Sequence, residues 1–143
     1  MKFKKIFAPT TQLDFPLLLL RLVIGFTFII YGYGKVTGGV DMWKGIGESM
    51  GNIGINFGAV TWGFIASWAE FGGGILLVLG FLTRPIAFLM MFTMIMAAIH
   101  HLKAGDGVAI AGHAIELVAT FIFFQYSGAG KYSVDDQIHQ RLK

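Results

Sequence analysis

The stretch VTWGFIASWAEFGGGILLVLGFLTRPIAFLMMFTMIMAAIHHL, residues 60–102, holds two long apolar runs separated only by Thr83, Arg84 and Pro85. A helix of about 20 apolar residues crosses a hydrocarbon layer of about 30 Å, where no water satisfies an open backbone. Two such runs joined by three residues fold back on each other as an antiparallel hairpin. Pro85 suits the first turn of the second helix, because the N–H it lacks has no intrahelical partner there.

Working outward, residues 15–33 and 108–126 repeat the pattern, which gives spans over 15–33, 60–82, 86–102 and 108–126. The expected fold is all-α, a polytopic membrane four-helix bundle forming a single domain over 1–143. Composition agrees: 55% of residues are hydrophobic and only 13% charged, too little polar surface to coat a water-soluble globule. Lys2, Lys4 and Lys5 precede the first span as in a signal peptide. Arg21 interrupts that apolar run, however, and no small-residue cleavage site follows, so the span is expected to be retained.

Orientation follows from the placement of basic residues. Lys2, Lys4, Lys5, Arg84, Lys131, Arg141 and Lys143 fall on the side of both termini, against Lys35, Lys44 and Lys103 on the other. Both termini are therefore expected to be cytoplasmic, with the chain in the inner membrane. The net charge of +3 suits an anionic membrane leaflet, and nothing in its placement points to nucleic acid. The chain has no cysteine, which excludes thiol relays and iron–sulfur ligation by its own residues.

Arg21, Glu70, His100 and Glu116 interrupt the four apolar runs. Each costs about 2.5 kcal/mol or more in lipid, so such residues usually pair, face a cavity or serve a function. From the helical rise, Glu70 lies roughly 15 Å and Glu116 roughly 12 Å inside the outer ends of their spans, with His113 roughly 8 Å deep. Ser67, Glu70, Gly73, Gly74 and Leu77 share one stripe of the second span, and His113, Glu116, Ala119 and Thr120 one stripe of the fourth. If both stripes face inward, Glu70, His113 and Glu116 meet in one pocket with Arg21 beneath. Two acids facing one arginine leave a surplus, so either a protonated His or another cation meets it or one acid holds a proton, as a proton-coupled site requires. Arg21 paired with Glu70 as a purely structural link is the competing expectation.

The connection over residues 34–59 carries eight glycines, with a short interfacial helix capped by Asp41 and anchored by Trp43 as one reading. It is expected either to act as a lid or to lie on the outer surface. Met90, Met91, Met94 and Met96 read as adaptable packing rather than ligands, and no metal site is expected. His100 and His113 make a two-histidine haem b site thinkable, without a supporting motif.

LLLLRLVIGFTFIIYGYGKV over 17–36, EFGGGILLVLGFLTRP over 70–85 and GAGKYSVDD over 128–136 resemble, in that order, the DoxX family of bacterial and archaeal membrane proteins. The resemblance implies a four-helix membrane protein associated with redox or sulfur-metabolism partners. DoxX and DoxD are membrane subunits of a thiosulfate:quinone oxidoreductase in some archaea. Other members look tied to oxidative-stress complexes. By motif, the family's polar positions correspond to Arg21, Lys35, Glu70, Arg84 and Glu116, with His100 following. Tyr31 stands where many members have His, and its hydroxyl is a donor suited to a quinone carbonyl.

The functional expectation is a quinone-interacting or redox-associated inner-membrane subunit, part of a quinone-linked oxidoreductase rather than a whole enzyme. Glu70, Glu116, Arg21 and His100 would carry the chemistry, and His113, Tyr31, Lys35 and Ser67 would contact the ligand. A non-catalytic scaffold or assembly factor and a small-solute or proton pathway are the alternatives. Partner proteins and a homo-oligomer, set in membrane lipid, complete the expectation.

Overall fold

The computed structural model describes residues 12–143, so Lys2, Lys4 and Lys5 lie outside the described residues. The elements are α1 (Asp14–Thr37), α2 (Gly39–Gly47), a 3₁₀ turn (Glu48–Ile53), α3 (Ala59–Leu79), α4 (Thr83–Ala104), α5 (Val108–Ser127) and α6 (Val134–Arg141). Among the described residues there is no strand, and α1, α3, α4 and α5 are each long and apolar enough to cross a membrane. The four spans of the sequence reading correspond to these helices with shifted ends. Gly80, at φ +65°, stops α3 three residues earlier than expected. The hairpin turn is therefore 80–82, and Pro85 falls in the first turn of α4.

In the bundle α1 packs along α3, α3 against α4 and α4 against α5. Close approach of α1 and α3 depends on glycine: a Cβ on Gly25 would lie 2.8 Å from the Gly74 carbonyl oxygen, and one on Gly32 would overlap the backbone of Phe71. Leu17, Ile24, Phe28, Leu77, Met90, Phe121 and Phe124 fill the core. Phe28 packs edge-on against Phe121 at 5.5 Å between ring centroids, so α1 meets α5 at this level.

The glycine-rich connection is a packed roof rather than a loose loop. The chain breaks at Gly38 and Gly39, and α2 then lies on the first turns of α3. Asp41 sits inside the first turn of α2 and does not cap it. The Trp43 indole N–H donates to the Lys35 carbonyl at 3.0 Å. Beyond α2, the 3₁₀ turn is tied to the end of α4, where Lys103 donates to the Asn52 carbonyl.

The opposite end carries α6, which the sequence reading did not anticipate. Ser133 caps it by accepting from the Asp136 N–H at 3.1 Å, and Asp135 and Asp136 occupy its positive N-terminal turn. The Asp135 carboxylate in turn accepts from the Leu82 and Thr83 N–H groups at 2.8 and 2.9 Å, capping α4. Asp14, opening α1, accepts from the Lys131 N–H at 2.9 Å, so the start of α1 and the chain after α5 lie at the same end of the bundle.

Candidate functional site

Between α2, the 3₁₀ turn, α3 and α4 lies a cavity of about 690 Å³. Its walls are chiefly apolar: Ile46, Met50, Trp62, Ile65, Leu89, Phe92 and Met96. Polar groups from separate elements face it, namely Lys35, Asp41, Ser49, Glu70, Thr93, His100 and His101. A second cavity of about 400 Å³ lies between α1, α4 and α5, lined by Phe28, Tyr31, Met94, His113 and Leu117 among others. Lys35, Glu70, Ala97 and His101 border both.

The partition between the cavities is an ion pair. Lys35 Nζ donates to Glu70 Oε2 at 2.5 Å, with the Glu70 side chain almost fully buried and that of Lys35 about a third exposed. A charge-assisted bond to a buried carboxylate holds both groups in one geometry. The sequence reading ended the first span at Tyr33 and left Lys35 beyond it. α1 in fact continues to Thr37, and the lysine projects from its last turns back to mid-α3.

Arg21 does not serve either acid. It is fully buried at the α6 end, where Nη1 donates to the Leu77 and Val78 carbonyls at 3.2 Å each and Nη2 to the Tyr132 carbonyl at 2.6 Å. Asp135 acts favourably on its charge without forming a direct ion pair among the described residues. A guanidinium is well suited to this, since its fork serves carbonyls at the end of α3 and the returning chain at once. Arg84 likewise lies at this end, bordering a polar hollow with Asp14, Lys131 and His139.

Glu116 borders neither cavity and is exposed on the outward face of α5, turned away from Glu70. The expected convergence of the two acids is therefore not made. α5 is apolar nearly all round, so spacing groups Glu116 with His113 but leaves open which side faces the bundle. Ser67 is buried yet spends its hydroxyl on the Gly63 carbonyl at 2.7 Å and faces neither cavity. Tyr31 and His113 meet the smaller cavity and His100 the larger. His100 and His113 thus do not face a common space, and a two-histidine haem is not assembled. His101, beside His100, pairs with Asp106 at 2.7 Å.

Four apolar helices enclosing a polar ion pair define a polytopic membrane protein, and the comparisons with known proteins agree. The DoxX family model matches residues 16–103. The chain belongs to the DoxX family. It is 31% identical to the inner membrane protein YqjF of Escherichia coli (strain K12) over 133 residues, covering 90% of this chain and 95% of that protein. It is 30% identical to the inner membrane protein YphA of the same organism over 127 residues, covering 83% and 87% respectively. No solved structure matches. With its four membrane helices and these relatives, the chain is a multi-pass inner-membrane protein.

Proposed function

We propose that this protein binds a lipid-soluble quinone headgroup in the larger cavity, as the membrane subunit of a redox assembly whose electrons come from a separate protein. The observation that carries this reading is the Lys35–Glu70 pair facing an apolar cavity of about 690 Å³, within the range of small-molecule sites. A quinone needs flat apolar walls and a few donors aimed at its carbonyl oxygens. Trp62 and Phe92 supply the first, and Lys35 and His100 the second. When bound, such a group takes up two electrons and two protons on reduction. Glu70 would hold and pass a proton, with Lys35 fixing the carboxylate until the ligand competes for the ammonium. In this reading the whole chain acts as one membrane unit, with the α6 end cytoplasmic.

Saturable quenching of Trp62 fluorescence by decylubiquinone, in a W43F/W68F background reconstituted in lipid, is the direct test. Binding at least tenfold weaker in Glu70→Gln and His100→Ala supports the reading. Quenching that rises linearly with quinone and is the same in both variants overturns it.

A further inference from the structure

At the outer end of the larger cavity α2 lies on α3 backbone to backbone: a Cβ on Gly47 would overlap the Ala59 carbonyl, and one on Gly63 that of Trp43. The 3₁₀ turn is held to the end of α4 by the bond from Lys103 to the Asn52 carbonyl. Toward the α6 end α3 and α4 touch, since a Cβ on Gly73 would lie 2.9 Å from Met90 Sδ and 3.4 Å from Ile86 Cγ2. Between these two closures the helices stand apart across the cavity, with Ile65, Ala66 and Ala69 on one side and Leu89, Phe92 and Met96 on the other. α1 reaches the cavity only through Lys35, and among the described residues nothing of α5 lines it. The flank of the α3–α4 seam turned away from those two helices is therefore uncovered.

The side chains at this flank are apolar. Ile65, Leu89 and Phe92 line the cavity, and each is more than a third exposed. Ile65 lies six residues into α3 and Leu89 six residues into α4, each roughly 9 Å from the start of its helix. The two helices start at opposite ends of the bundle, so the mouth sits in the middle of a hydrocarbon layer about 30 Å thick. What meets it there is acyl chain, not water. A ligand reaches the Lys35–Glu70 pair by this way after dissolving in the bilayer, and a chain left in the mouth stays among apolar groups along its whole length. We infer that the larger cavity is entered sideways from the bilayer, through the mouth between Ile65, Leu89 and Phe92. Its ligand is then an amphiphile whose polar head meets Lys35 and Glu70 while its alkyl or prenyl chain passes out into lipid. That the head is a quinone rests on the reading above, whereas the entrance rests on the seam alone.

The chain has no cysteine, so one introduced thiol reports on one place. Thr93→Cys puts it on the cavity wall, and Ile115→Cys, on the exposed face of α5, serves as the reference. The full-length variants, in vesicles of phosphatidylethanolamine and phosphatidylglycerol, are treated from both sides with decyl methanethiosulfonate, which partitions into lipid, or with its trimethylammonium-ethyl counterpart, which does not. The decyl reagent is expected to modify residue 93 at least about tenfold faster than the charged one. Adding Ile65→Phe and Leu89→Phe fills the mouth and slows the decyl reaction at residue 93 by at least about tenfold, with residue 115 unchanged. Residue 93 untouched by the decyl reagent, modified as fast by the charged one, or indifferent to the two phenylalanines overturns the inference. Should the doubly narrowed variant fail to accumulate, Leu89→Phe alone decides by the same comparison. Decylubiquinone added to Thr93→Cys separates the two readings. Slower decyl modification supports a quinone in the cavity, and an unchanged rate with the dependence on the mouth intact overturns the quinone and leaves the entrance standing.

Discussion

Lys35 and Glu70 are joined across α1 and α3 by a single 2.5 Å contact that both internal cavities share. The lysine comes from the last turns of its helix and the glutamate from the middle of its own, because α2, not α1, covers the first turns of α3. The membrane interior thus holds one acid with its charge compensated, flanked by space on either side.

Removing one member of this pair strands the other. Lys35→Met leaves Glu70 charged and buried, and Glu70→Leu leaves an ammonium facing an apolar wall. Each is expected to lower stability by about 1–3 kcal/mol, less than for a fully dry pair because Lys35 is partly exposed. The double variant Lys35→Met/Glu70→Leu recovers most of the loss. Thermal unfolding of the four proteins in one lipid, read as a double-mutant cycle, gives the coupling directly.

Arg21 predicts a different failure. Its guanidinium holds three carbonyls from two parts of the chain, so Arg21→Met both exposes the end of α3 and releases the segment before α6. A loss of about 3 kcal/mol or more is expected, together with faster tryptic cleavage after Lys131. Arg21→Lys does not rescue it, since one ammonium lacks the fork that spans both sets of acceptors. Limited proteolysis in bilayers distinguishes this from damage at the cavity, where cleavage at Lys131 stays slow.

These two residues also show what the sequence could and could not reveal. The four spans were legible because hydrocarbon thickness fixes their length, and the α3–α4 hairpin because three residues cannot do otherwise. That Glu70 needs a partner was legible too. Its identity was not: charge counting ranks side chains, whereas Arg21 had gone to backbone carbonyls, one of them more than a hundred residues away, which no local pattern marks. Glu116 was misplaced for another reason. In lipid the outward face of a helix is as apolar as the inward one, so periodicity gives neighbours without giving direction. The signal for α6 was present in Ser133 three residues before Asp136, a cap followed by acids.

Asp135 closes a second link at the α6 end. Its carboxylate caps α4 through the Leu82 and Thr83 N–H groups, while its own N–H donates to the Gly80 carbonyl at 2.9 Å. Asp135→Ala is expected to cost about 1–2 kcal/mol and to speed hydrogen exchange at Leu82 and Thr83. Because the same carboxylate acts electrostatically on Arg21, its effect and that of Arg21→Met are expected to fall short of additive by at least about 0.5 kcal/mol. Full additivity would show that the arginine and the cap act independently.

Two glycines of α3 separate the roof from the helix that bears it. A Cβ on Gly63 would overlap the Trp43 carbonyl of α2, and backbone cannot swing aside as a side chain can. A Cβ on Gly72 would meet nothing within 4 Å. Gly63→Ala is therefore expected to displace α2 and open the larger cavity toward its outer end. Trp43 fluorescence would shift to the red, and decylubiquinone binding would weaken by about tenfold, the equivalent of roughly 1.4 kcal/mol. Gly72→Ala should instead gain up to about 1 kcal/mol from helix propensity and leave binding unchanged. Measuring both variants side by side separates roof closure from helix stability, because a ligand site that depended only on a firm α3 would improve in the second and not fail in the first.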